Sequence, residues 1–219
     1  MKNRLIAREG MRLIIPSFVL SCVLFFYHPS VLTIILGSVV FAFCLFCLFF
    51  FRNPNRQTNV DIDDLISSAD GVVMEVREME ETEFIGGNCV RISIFMSPAD
   101  VHVNRAPCSG RILKVVHRSG EFAVAFKKDI DKENERNNIL IENKEGEKIL
   151  VVQIAGFLAR RIVSYVKETD TVEQGERIGM IAFGSRVDIY FPKRYSSVVK
   201  SGVKVKAGIT VLATKKGKV

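Results

Sequence analysis

Few side chains in this 219-residue sequence could do chemistry, and three stand out by their surroundings. Gly184-Ser185 separates two apolar, β-prone runs, Ile178 to Phe183 and Val187 to Phe191. A serine hydroxyl that attacks the carbonyl before it needs unusual backbone geometry there, which glycine permits. The same pair is also the ordinary composition of a turn, and on these residues alone both readings stand. His102 lies in the polar, proline-containing stretch Phe95 to Pro107, which reads as a loop. An imidazole there can act as acid or base near neutral pH, or hold the loop by a hydrogen bond. Asp70, in Ser68-Ala69-Asp70-Gly71, has turn composition and also the chemistry to orient a histidine. His117, between an apolar run and Arg118, reads as a strand-end residue. Two histidines without clustered carboxylates do not supply the ligands of a metal site, so none is expected.

Positioning these residues falls to a region of short β-prone runs divided by turn residues. The runs are Gly71 to Val76, Cys89 to Phe95, Arg111 to His117, Phe122 to Phe126, Asn138 to Ile141, Lys148 to Ile154, Arg161 to Val166, Glu176 to Phe183, Arg186 to Phe191 and Thr210 to Thr214. Val90, Ile92 and Ile94 alternate with Arg91 and Ser93, the period of a strand with one buried face. The fold class expected is mainly β, a barrel-sandwich-like domain over 57–219 with at most one or two short helices. A repeat supports it: Val166-Lys167 returns as Val199-Lys200, Val172 as Val205, Gly175 as Gly208 and Ile178 as Val211. The run Lys127 to Asn138 is almost wholly charged or Asn and reads as an exposed loop.

Residues 1–56 have a different character. No charged side chain occurs from Leu13 to Phe51, which is room for two apolar helices, about 13–27 and 31–51, joined at His28-Pro29-Ser30. The first carries Pro16 and is short for a complete span. No small-x-small cleavage site follows it, so a hairpin anchor is expected rather than a removed signal peptide. Lys2, Arg4, Arg8 and Arg12 precede the hairpin and Arg52 and Arg56 follow it. The positive-inside bias then puts both ends and the following domain on the cytoplasmic side of the cell membrane. A net charge of +7, much of it on lysines near the C-terminus, suits anionic lipid headgroups. Without Trp or an aromatic-basic stacking motif, nucleic acid is not an expected partner. Cys22, Cys44 and Cys47 belong to the apolar run, and Cys89 and Cys108 read as free thiols.

The ordered set Phe51-Arg52-Asn53-Pro54-Asn55-Arg56, Ala69-Asp70-Gly71, Phe95 to Pro107, Asn134-Glu135-Arg136, Gln153-Ile154-Ala155-Gly156 with Arg160-Arg161, and Phe183-Gly184-Ser185 resembles the short bacterial form of the phosphatidylserine decarboxylases. The resemblance implies a proenzyme that cuts itself at Gly184-Ser185 into a β chain, 1–184, and an α chain, 185–219, which stay together. It implies that Ser185 becomes a covalent pyruvoyl group through an ester and dehydroalanine. That group would then form a Schiff base with phosphatidylserine and yield phosphatidylethanolamine and carbon dioxide. Asp70 and His102 are the implied catalytic side chains, and Arg136, Arg160 and Arg161 are open candidates for the headgroup phosphate. The longer form of the family has a second histidine where this chain has Arg105, and an arginine is no base at neutral pH, so the base expected is His102. The competing expectation is a non-enzymatic, membrane-tethered barrel-sandwich adaptor or lipid-binding protein. The hairpin tip Glu168 to Gln174 lacks the lysine that a carrier domain would modify. A homo-oligomer is compatible with either reading.

Overall fold

A computed structural model describes residues 5–27, 29–120, 134–156, 162–182 and 185–217. Gly184, Phe183, Arg160, Arg161, the run Phe122 to Phe126 and most of the segment Lys127 to Asn138 lie outside the described residues. The chain divides into two compact units, Met1–Asn55 and Arg56–Val219.

The first unit is a helical hairpin. Helix α1, Met11–Phe26, follows a 3₁₀ turn at Arg8–Gly10, and α2 covers Val31–Phe50. With the turn, the first segment is 19 residues and the second 20, each about 30 Å at 1.5 Å per residue, so both are long and apolar enough to cross a membrane. Pro16 lies inside α1 without ending it. Ser30 caps α2: its hydroxyl accepts the Thr33 amide while Thr33 Oγ1 accepts the Ser30 amide at 2.8 Å. The helices close tightly where a Cβ on Gly37 would sit 3.0 Å from the Phe25 ring. Cys44 and Cys47 are buried within this pair, while Phe18, Leu20, Leu32, Val39 and Leu45 are exposed. The two ends meet: the Ala7 amide bonds the Phe51 carbonyl at 2.8 Å and the Asn53 amide the Leu5 carbonyl at 2.6 Å.

The second unit is all β among its described residues. Its strands are β1 (Leu65–Ile66), β2 (Gly71–Glu81), β3 (Gly87–Met96), β4 (Val103–Arg105), β5 (Gly110–Arg118), β6 (Arg136–Glu142), β7 (Lys148–Ala155), β8 (Ile162–Ser164), β9 (Thr171–Val172), β10 (Arg177–Ile181), β11 (Ser185–Pro192), β12 (Tyr195–Ser197), β13 (Lys204–Val205) and β14 (Val211–Lys215). Eight form a curled half-barrel in the order β13-β2-β3-β11-β7-β6-β5-β9, and two three-stranded sheets, β1-β14-β12 and β4-β10-β8, complete the unit. The mainly β class expected from the sequence is the one observed. Alternation explains the central strand: Val187, Ile189 and Phe191 of β11 join Ile92, Ile94 and Val151 in the main core, while Arg186, Asp188 and Tyr190 point to the other face.

Two differences from the sequence reading matter for the site. Val103–Arg105, read as loop, is a strand in register with β10, with Val103 opposite Met180 and Arg105 opposite Arg177. Its polar side chains are buried, and their partners come from distant segments that composition does not reveal. Arg56, read as a basic flank of the anchor, belongs to the second unit, where an ion pair with Asp70 holds it. The repeat takes physical form as β9–turn–β10 and β13–turn–β14. Its glycines, Gly175 and Gly208, have φ of 81° and 76°, the left-handed region that glycine enters freely.

Candidate active site

Ser185 opens β11 at the middle of the half-barrel, opposite Met96 of β3 and Ala155 of β7. Its side chain shares the inward face with Val187 and is wholly buried, and its hydroxyl donates to Met96 Sδ at 3.4 Å. A chain of amides runs to the same sulfur. Asn137 Nδ2 donates to Gln153 Oε1 at 2.9 Å, Gln153 Nε2 to Asn104 Oδ1 at 2.7 Å, and Asn104 Nδ2 to Met96 Sδ at 3.6 Å. All four residues are 1 % exposed or less, so the hydrogen bonds offset what would otherwise be a costly burial of polar groups. Gly179 makes room for the chain, since a Cβ there would lie 2.7 Å from both Gln153 Nε2 and the Val163 carbonyl. The segment Asn134-Glu135-Arg136 secures the opposite neighbour. Asn134 Nδ2 donates to the Ala155 carbonyl at 2.7 Å, the Ala155 amide donates to Glu135 at 2.9 Å, and Arg136 opens β6 at the Ser185 end of the sheet.

His102 is drawn toward that end from two directions. It closes the short connection from Met96, in which Asp100 Oδ2 accepts from the Ser97 amide at 2.8 Å and the Ser97 hydroxyl at 2.7 Å. Its own carbonyl accepts the amide of Ile181, four residues before Ser185, at 3.3 Å. The ring is wholly buried, with Nδ1 3.0 Å from the Asp100 carbonyl oxygen. A carbonyl can only accept, so Nδ1 carries the hydrogen and the basic lone pair of the neutral ring is on Nε2.

Asp70 has other partners. Arg56 grips its carboxylate through two bonds of 2.5 and 2.7 Å, and the Ala207 amide donates to Oδ1 at 2.8 Å. The next residue, Gly71, lies flat against β3, where a Cβ would meet the Phe95 carbonyl oxygen at 2.0 Å. Arg105 belongs to this charged group. Its Nη1 donates to the Gly175 carbonyl at 2.7 Å, and its stem is so close to Gly208 that a Cβ there would lie 2.8 Å from Cδ. The two repeat glycines therefore flank one arginine. Burial first, then Arg177 and Arg56, push the Arg105 guanidinium down to about 10 against the pull of Asp70, still cationic at neutral pH. His117 is half exposed and 3.3 Å from Glu135. A cavity of about 400 Å³, lined by Cys108, Arg111, Glu142 and Tyr195 among others, lies at the end of the sheet away from Ser185.

Ser185, His102 and Asp70 stand out in the sequence; Met96, Asn104, Asn137 and Gln153 do not, and Arg56 stands out only as a flank of the anchor. One of these carried a signal. Gln153 interrupts the apolar run Ile149 to Ile154 at an inward position, and a buried glutamine needs a partner.

Residues 43–213 match the family model of phosphatidylserine decarboxylase. A phosphatidylserine decarboxylase proenzyme of Carboxydothermus hydrogenoformans is 50% identical over 183 residues, 83% of this chain and 85% of its own. One from Syntrophus aciditrophicus is 42% identical over 211 residues, 95% of this chain and 97% of its own. A putative archaetidylserine decarboxylase proenzyme of Methanosarcina mazei is 43% identical over 179 residues, 82% of this chain and 80% of its own. The chain belongs to the phosphatidylserine decarboxylase family.

Proposed function

We propose that this protein is a proenzyme that cuts itself between Gly184 and Ser185 and then decarboxylates phosphatidylserine to phosphatidylethanolamine. The observation that carries the reading is Ser185 itself. In a family whose relatives are named as proenzymes, this serine is the first residue of the central strand, buried with its hydroxyl held by Met96. An exposed turn serine has no need of such a setting.

In self-cleavage, His102 Nε2 takes the Ser185 hydroxyl proton as Oγ attacks the Gly184 carbonyl, and the peptide becomes an ester. Loss of the Ser185 α-proton then breaks the Cβ–O bond, releasing the Gly184 carboxylate and leaving dehydroalanine. Addition of water and loss of ammonia leave a pyruvoyl group on the new chain, 185–219. The site fits such a group. It is closed to solvent, and the side chains linked to Ser185 through Met96 are neutral amides rather than charged groups. When bound, the pyruvoyl supplies a ketone that condenses with the substrate amine and takes up the electrons left as carbon dioxide departs.

The chain's own residues do the rest. His102, fixed in one tautomer by Asp100, holds or returns a proton beside the reacting carbon. Asp70 acts at one remove, holding Arg56 and, through charge, Arg105 against the two repeat turns that support the site. Arg136, at the rim of the same sheet end, is the cation that meets the headgroup phosphate. The phosphatidylserine and archaetidylserine names of the relatives share the seryl group, the part on which this chemistry acts.

The test is a gel and a mass spectrum of membranes that make the protein. A fragment 185–219 with an N-terminus blocked to amine chemistry is expected, together with release of carbon dioxide from phosphatidylserine. Ser185→Ala should leave one uncut chain and no turnover; cleavage in that variant would overturn the reading.

A further inference from the structure

Met96 stands between two donors, the Ser185 hydroxyl at 3.4 Å and the Asn104 amide at 3.6 Å. We propose that Met96 is a positioning residue for self-cleavage, its thioether aimed by the chain Asn137–Gln153–Asn104 so that it holds the Ser185 hydroxyl without competing for its proton. The proposal rests on the reading of Ser185 given above and deepens it.

Three observations carry it. The backbone fixes the pair, since Met96 and Ser185 are direct partners across β3 and β11 and both side chains are wholly buried. The chain also has one sense of direction: each amide donates toward Met96 and accepts from the side of Asn137, so an N–H rather than a carbonyl of Asn104 faces the sulfur. Reversing Asn104 would bring its carbonyl against Sδ and offer the serine hydroxyl a stronger acceptor in the wrong direction. Third, the acceptor suits its task. A thioether accepts a hydrogen bond weakly and has no basicity in water, so it holds Oγ in one rotamer and releases the hydroxyl hydrogen readily when His102 takes it. A carboxylate in its place would bind the proton and add a buried charge. A methionine that merely fills space needs neither the serine hydroxyl nor a buried chain of three amides pointing at its sulfur.

Self-cleavage is read by pulse-labelling the full chain and following the fragment 185–219 on gels, which requires no formed pyruvoyl group. Met96→Leu keeps the apolar volume and removes the acceptor. It should slow cleavage roughly five- to tenfold, the rate equivalent of about one hydrogen bond, while the midpoint of thermal unfolding stays within a few degrees of wild type. Met96→Gln puts a stronger carbonyl acceptor at similar length, which competes with His102 for the hydroxyl hydrogen, and should cleave no faster than Met96→Leu. Gln153→Glu touches neither Met96 nor Ser185. Its ionised carboxylate accepts from both neighbouring amides and turns Asn104 around, so cleavage should fall as pH rises through the titration of the introduced carboxyl. Wild type should lack that step.

Wild-type cleavage in a folded Met96→Leu chain would overturn the proposal, as would wild-type cleavage in a folded Met96→Gln chain. If Met96→Leu fails to fold, Gln153→Glu decides, and a pH profile that superimposes on wild type refutes the proposal. Ser185→Ala separates the two levels. Cleavage in that variant removes the reading of Ser185, whereas an uncut Ser185→Ala chain beside a fast Met96→Leu chain removes only the role of Met96.

Discussion

The ring of His102 is wholly buried and its Nδ1 faces a backbone carbonyl oxygen at 3.0 Å, so its tautomer is set by the main chain rather than by a carboxylate. Asp70 would be the obvious orienting group, but its carboxylate is occupied by Arg56 and the Ala207 amide. This arrangement bears on the position where the longer form of the family has a second histidine. Here Arg105 occupies it, held between Gly175 and Gly208 and cationic at neutral pH, so in the proposed mechanism it is an electrostatic tie and proton transfer falls to His102. His102→Ala should therefore slow self-cleavage by about 10²–10⁴-fold, the usual range for loss of a positioned base. Arg105→Lys should cost stability while cleavage in the folded fraction stays within a few-fold of wild type. Pulse-labelling measures the first effect and thermal unfolding the second. His102→Ala cleaving at the wild-type rate would transfer the base to another group.

At the scale of elements, the two repeated turns, between β9 and β10 and between β13 and β14, act as a clamp on Arg105. Gly208 has φ of 76°, and a Cβ there would also strike Arg105 Cδ at 2.8 Å, whereas Gly202, at φ of 87°, has nothing within 4 Å. Gly202→Ala should cost about 1–2 kcal/mol, the left-handed backbone penalty alone. Gly208→Ala should add roughly 1–3 kcal/mol of overpacking. Unfolding in denaturant separates the two, and equal costs would mean that Arg105 yields freely. The repeat was legible in the sequence because its glycines and valines recur at one offset, and the long strands were legible because their apolar residues alternate. The two-residue strands β1, β9 and β13 were not, since pairs that short are fixed by the partners they meet. Likewise Val103–Arg105 looked like loop because Asn104 and Arg105 are polar; each is buried against a group more than 45 residues away in the chain, Gln153 for one and Gly175 for the other. Ser185, His102 and Asp70 were visible as residue types in context. The amide chain to Met96 was hidden because its members are scattered over four strands and join only through pairing.

For the whole molecule the question is where a lipid substrate meets the site. The first unit ends where it began: Leu5 and Ala7 pair with Phe51 and Asn53 through backbone hydrogen bonds, so both ends of the two apolar helices emerge together. Arg8 and Arg12 lie at one of these ends and Arg52 at the other, with the Arg52 guanidinium 4.0 Å from the Phe49 ring. The positive-inside bias of such basic flanks leads us to expect both ends on the cytoplasmic side. The second unit continues directly from that end, and its lysines, including Lys193, Lys200, Lys204, Lys206 and Lys216, favour an anionic lipid surface. We therefore expect the chain to remain in membranes washed with alkaline carbonate, and a C-terminal tag to resist protease added to intact cells while being digested in inverted vesicles. Replacing Arg8, Arg12 and Arg52 with Asn should weaken that orientation, and part of the tag should become accessible from outside. A tag digested in intact cells that carry the wild-type chain would place the second unit on the opposite face and leave the basic flanks without the role assigned to them.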